Sequence, residues 1–133
     1  MTKLSKIEGV TGVHMLKLKS ARVTTIEKLL LQGATAQGRK EIARKTRITE
    51  KTIERWVHHA DFFRIKGMAG LKAELLDTAG VATMKKLGSQ NASRLQTTLL
   101  NINKKKKLVE RVPGLVQVER WVKTARKINK IVK

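Results

Sequence analysis

The sequence has no cysteine, no tyrosine, one proline (Pro113), two tryptophans and two phenylalanines in 133 residues. Without cysteine there is no disulfide framework, no thiolate zinc site and no thiol nucleophile. With aromatics at 3%, there are too few rings for a platform on which single-stranded bases stack. No stretch approaches the ~20 apolar residues that cross a bilayer, and the opening MTKLSKIEGV lacks the apolar run of a signal peptide. The chain is therefore expected in the cytoplasm or nucleoid and off the membrane, with an organelle or a virion left open. Acidic residues are scarce as well: 10 Asp and Glu face 30 Lys and Arg, a formal net charge of +20.

What is present is a folding composition. Hydrophobic residues make up 41%, too many for a disordered basic tail, and the length suits one domain with a real core. A positive surplus this large costs self-repulsion in the folded state and makes sense beside a polyanion. Nucleic acid is the leading candidate for a basic domain of this size. The surplus is uneven: residues 101–133 hold 11 basic and 2 acidic side chains, against 13 and 6 in residues 1–62.

The chain also repeats itself. Residues 7–29 read IEGVTGVHMLKLKSARVTTIEKL and residues 65–87 read IKGMAGLKAELLDTAGVATMKKL. At an offset of 58, Gly9/Gly67, Gly12/Gly70, Leu18/Leu76, Val23/Val81, Thr25/Thr83 and Leu29/Leu87 coincide. A second echo pairs Ile53-Glu54-Arg55-Trp56-Val57 with Val118-Glu119-Arg120-Trp121-Val122 at an offset of 65. The seven-residue difference falls between Leu87 and Val118, most simply around Asn103 to Lys107. A repeat of this length means one supersecondary unit used twice.

Helical spacing runs almost throughout. A turn at 9–12 opens a helix from Val13 to Ala21, and Thr24 with Glu27 stands at capping-box spacing before a second. A third helix is expected from about Gly38 to Lys45. Thr49 caps a fourth, in which Ile53, Trp56, Val57 and Ala60 form one buried stripe. The second half repeats this order, with a last helix from about Leu115 to Val132 and Val118, Trp121, Val122 and Ala125 as its stripe. No period-two alternation argues for a sheet. The aromatic residues follow the helical stripes and read as core.

These runs resemble a known family. Ile7-Glu8-Gly9-Val10 with Gly12, Leu18 and Ala21, followed by Thr25 to Leu30, looks like the helix-hairpin-helix signature. Gly38-Arg39-Lys40-Glu41, Ile48 to Lys51, Trp56 to Asp61, and Arg111-Val112-Pro113 with Trp121 are similar to a bacterial and phage-like family. Its members are tandem helix-hairpin-helix proteins catalogued as a domain of unknown function. The resemblance implies an all-α fold with two tandem helix-hairpin-helix-type units in one compact pseudo-twofold domain. The single domain spans 1–133, with repeat one at about 5–62 and repeat two at about 63–133. By fold-level analogy it also implies binding to DNA. This chain departs from the usual Gly-hydrophobic-Gly turn, because Thr11 and Ala69 stand at the second glycine position.

A turn that opens a helix offers unpaired backbone N–H groups and a positive dipole end to an anion. The expected nucleic-acid contacts are therefore Gly9, Val10, Thr11 and Gly12 with Lys17, and Gly67, Met68, Ala69 and Gly70 with Lys72, one strand per turn. Lys104, Lys105, Lys106 and Lys107, then Lys123, Arg126 and Lys127, supply charge that displaces counterions without choosing sequence. The alternative for each is structural: tight turns for packing, and solvated lysines. The segment from Glu41 to Trp56 has the spacing of a helix-turn-helix, although Arg47 occupies its turn position. His58 and His59 are adjacent and point to different sides of a helix, so no metal site is expected. No nucleophile–base arrangement is recognisable, so the chain reads as no enzyme, with no cofactor. The expectation is a non-catalytic protein gripping double-stranded DNA by its phosphates with little sequence preference. The runners-up are a structural RNA-binding component of a ribonucleoprotein such as a ribosome, and an interaction module for an acidic protein partner or a larger assembly.

Overall fold

Threonine hydroxyls start most of the helices. The computed structural model describes residues 2–68 and 70–133, which form eight α-helices and, outside them, a short 3-10 helix at Leu4–Lys6 and an isolated bridge between Lys3 and Thr25. The chain divides into two compact units, Met1–Asp61 with Ile131–Lys133, and Phe62–Lys130. The first contains α1 (Gly12–Ser20), α2 (Ile26–Gln32), α3 (Ala36–Thr46) and all but the last residue of α4 (Glu50–Phe62). The second contains α5 (Gly70–Thr78), α6 (Met84–Gly88), α7 (Ala92–Lys106) and α8 (Leu115–Lys127).

Local hydrogen bonding repeats with the sequence. Thr25 Oγ1 accepts the Lys28 amide at 3.1 Å, and Thr83 Oγ1 accepts the Lys86 amide at 3.1 Å. Thr35, Thr49 and Asn91 start α3, α4 and α7 in the same way. Each such cap is worth about 1 kcal/mol. α1 and α5 also stop alike. Val23 N–H donates to Leu18 O and Val81 N–H to Leu76 O, each at 2.9 Å. This closure needs one residue in the left-handed region. Gly80 meets that need at φ +82°, and Arg22 meets it at φ 62°, at a cost of roughly 1–2 kcal/mol for a residue with a Cβ.

Each unit has its own apolar interior. In the first, Leu18, Val23, Leu29, Ile53 and Val57 are completely buried, and Trp56 almost so. In the second, α8 packs on α6 and α7, and α5 on α7, around Phe62, Leu75, Leu76, Leu87, Leu99 and Trp121. The stripes expected on α4 and α8 are buried at all eight positions. Phe63, the remaining aromatic, is half-buried.

Several boundaries differ from those expected. Thr25, not Thr24, caps α2, and the Glu27 carboxylate accepts from the Thr2 amide at 2.8 Å instead of completing a capping box. α3 begins before Gly38, because Thr35 is its cap. Gly38 sits in its first turn where a Cβ would stand 1.9 Å from the Gln32 carbonyl oxygen. α8 ends at Lys127 because Ile128 turns extended, at φ −69° and ψ 145°. The length mismatch is distributed. α6 has 5 residues against 7 in α2, α7 has 15 against 11 in α3, and the α7–α8 connection is about five residues longer than the α3–α4 turn. Those differences together make the net seven.

Candidate functional site

Both glycine turns are surface features with left-handed backbone. Gly9 lies at φ +93° and Gly67 at φ +84°, and both are exposed. A residue with a Cβ would be strained at either place. The neighbouring Val10 and Met68 side chains are buried, so ligand contact at those positions runs through the main chain. Ala69 lies outside the described residues. Gly12 and Gly70 are the first residues of α1 and α5.

The first turn satisfies part of its own hydrogen-bonding demand. Thr11 caps α1, its Oγ1 accepting the His14 amide at 3.4 Å, while the Thr11 amide donates to His14 Nδ1 at 3.1 Å. This geometry requires an unprotonated Nδ1. The His14 ring is held edge-on against Trp56, with centroids 4.9 Å apart. Two donors that an approaching anion would use are thereby occupied by the protein itself.

In the second turn a cation takes the histidine's place. Lys72 is the counterpart of His14, and its Nζ donates to the Gly67 carbonyl at 3.3 Å. Beside this turn lies a groove of about 430 Å³ lined by Lys66, Gly67, Gln117, Arg120, Trp121 and Lys123. No acidic side chain lines it. Gln117 Nε2 would lie 3.4 Å from a Cβ at Gly67. Trp121 Nε1 is buried and has no hydrogen-bond partner among the described residues, an omission that costs on the order of 1–3 kcal/mol.

The other expected cations fall into two groups. Lys104, Lys105 and Lys106 occupy the last turn of α7, and Lys107 is its left-handed cap at φ 50°. Positive charge there also offsets the negative end of the helix dipole, so these lysines serve the helix whether or not they meet a ligand. Arg126 is structurally engaged. Its Nε donates to the Gly88 carbonyl at 2.6 Å, tying α8 to the end of α6. Lys17 on α1 and Lys123 and Lys127 on α8 are exposed. Lys123 and Lys127 also line a second groove of about 500 Å³ with Gln90, Asn91 and Glu119.

His58 carries the most informative titration. Burial pushes its imidazole below the ordinary 6.5, against the opposing pull of Glu54 and Asp61. Its Nε2 lies 3.7 Å from Glu54 Oε1, and its Nδ1 is buried without a hydrogen-bond partner among the described residues. His58 is the counterpart of Lys123 in the repeat, so a charge present in one unit is suppressed in the other.

Lys66, Gln117, Arg120 and the Trp121 indole escaped the sequence reading as groove residues. A signal for them existed. Aligning the repeats places Lys66 opposite Glu8 and Lys123 opposite His58, and that charge difference marks the second unit.

Two helical units with matched glycine turns and a strongly cationic chain define an all-α repeat protein. The chain belongs to the family described as Domain of unknown function (DUF4332), whose model matches residues 8–128. No curated protein and no solved structure matches it. Among the described residues no helix is long and apolar enough to cross a membrane.

Proposed function

We propose that the chain is a non-catalytic nucleic-acid-binding protein. In this reading two tandem helix-hairpin-helix-type units meet the sugar-phosphate backbone, with double-stranded DNA as the leading substrate. The observation that carries the reading is the exposure of left-handed Gly9 and Gly67 immediately before helix N-termini on a chain of net charge +20. Exposed turns of this kind let a phosphate approach the backbone without meeting a Cβ. Burial of both tryptophans supports phosphate contact over base stacking. Affinity arises from counterion release and varies little with sequence.

The test is a salt-titrated competition between duplex DNA, single strands and folded RNA. The reading expects duplex DNA to win at matched salt, with a steep linear fall of log affinity against log salt. Replacing Lys104 to Lys107 with Glu weakens binding to every duplex alike. A loss confined to one sequence rejects the non-specific model, and a preference for folded RNA moves the protein to a ribonucleoprotein.

One observation favours a second reading for the first unit. Val13, Leu16 and Leu31 are 62%, 71% and 76% exposed. Leu16 lines a shallow groove of about 410 Å³ with Leu4, Met15 and Lys19. Apolar exposure beside a cation suits a protein partner. Binding of such a partner that survives nuclease treatment would establish this reading.

A further inference from the structure

We infer that the second unit holds a phosphate site that the first unit lacks, built from side chains of α8 and the turn at 65–67. This rests on the nucleic-acid reading above and names the part of the chain that takes the phosphate.

The groove carries the inference. Lys66, Arg120 and Lys123 bring three positive charges to its wall, with no carboxylate among the lining residues. Among the described residues none of the three is tied up in an ion pair. A guanidinium presents two parallel N–H groups to phosphate oxygens, and two ammonium groups add point charge. The Gln117 amide is set close to Gly67, and Thr124 adds a hydroxyl to the lining. Trp121 forms part of the same wall, almost wholly buried, and its Nε1–H has no acceptor among the described residues. Buried donors are ordinarily paired, so the unpaired indole N–H on this wall serves as a reporter of an anion entering the groove.

The first unit keeps an arginine and a tryptophan at the positions of Arg120 and Trp121, as Arg55 and Trp56, but loses the groove's two lysines. Glu8 replaces Lys66, and His58 replaces Lys123. His58 is held toward its neutral form by burial. Its turn is further closed by the Thr11–His14 cap, which uses the Thr11 and His14 amides. In the second unit Ala69 has no side-chain oxygen with which to build that cap. The ligand of the groove is therefore a phosphate group, from the backbone of a nucleic acid or free in solution.

Trp56 and Trp121 are the only tryptophans, so the two indole N–H signals in a nitrogen-15 NMR spectrum report the two units separately. The full chain is titrated first with inorganic phosphate and then with a short DNA duplex, while duplex binding is followed in parallel by fluorescence anisotropy. The expected result is a saturable shift of the Trp121 signal in both titrations, with the Trp56 signal still. Lys66→Glu with Lys123→His abolishes the phosphate-driven shift, weakens duplex binding by about tenfold and lowers the salt slope by about 2. Both changes are at exposed positions, and an unmoved Trp56 signal verifies that the fold survives. Equal movement of both indoles, or an unaltered shift in the double variant, overturns the site. Duplex binding with Trp121 fixed overturns the groove and leaves the nucleic-acid reading standing. A phosphate-driven Trp121 shift with no binding of any nucleic acid upholds the groove and overturns that reading.

Discussion

The first unit and the second share a backbone plan and differ in what they do with it. Both stop their opening helix with a left-handed residue, start the next with a threonine, and bury a tryptophan stripe on their final helix. Those shared features are what a repeated unit needs to fold. The differences are in charge. Glu8, His14 and His58 of the first unit stand opposite Lys66, Lys72 and Lys123 of the second. The second unit carries 16 basic against 4 acidic side chains, and the first 14 against 6. Core positions are constrained by packing to within a methylene or so, whereas surface positions are free to diverge in charge. A duplicated fold can thus assign a ligand to one copy while the other copy keeps only its architecture.

The largest effect that would break the likeness is expected at Gly38. Its Cβ would strike the Gln32 carbonyl oxygen, whereas the second unit has Arg94 at the matching place after its Asn91 cap. Gly38→Ala should cost about 3 kcal/mol. Urea unfolding measures the loss, and hydrogen exchange should locate it in α2 and α3. A loss below about 0.5 kcal/mol would mean that the α2–α3 junction adjusts freely.

The helix stops give a cleaner and smaller contrast. Nothing stands within 4 Å of a Cβ built at Gly80, so Gly80→Ala isolates the backbone term and should destabilise by about 1 kcal/mol. Arg22→Gly removes the same strain from the first unit, offset by the added freedom of the unfolded chain, and should be near neutral. Equal destabilisation by both changes in thermal unfolding would show that Arg22 does more than complete the stop.

The smallest effect is the pH response of His58. Its folded pKa lies below the ordinary 6.5, so the unfolded chain binds the proton more readily. The contribution to stability is whole above about 6.5. It is lost as pH falls through the ordinary histidine range toward the folded value, and levels off below that. The melting temperature should therefore drop between pH 7 and pH 5, and His58→Gln should flatten part of that drop. An unchanged slope in the variant would place the pH dependence elsewhere. Lys123→Gln, the corresponding change in the second unit, should leave the slope alone.

Much of the architecture was legible because the constraints that fix it are short-range. The Thr49 cap, the repeated glycine turns and the stripes at Ile53, Trp56, Val57 and Ala60 each show as spacing along the chain. Other features depend on what approaches through space. The early start of α3 follows from Thr35 meeting the Gly38 amide, and the misassigned Thr24 cap from Thr2 claiming Glu27. The candidate site divides in the same way. Gly9 and Gly67 could be read from the repeat, while the groove joins Lys66 to Gln117, Arg120 and Trp121 from a segment about fifty residues away, which no local window connects.

The most direct measurement exchanges the charges of the two turns. Glu8→Lys combined with Lys66→Glu keeps the net charge at +20, so a change in duplex affinity reports position instead of total charge. If the second unit carries the phosphate site, the exchanged protein binds a DNA duplex about tenfold more weakly than the parent at the same salt, with a shallower salt slope. An affinity and slope equal to the parent's would show that both turns serve alike, and would contradict the account.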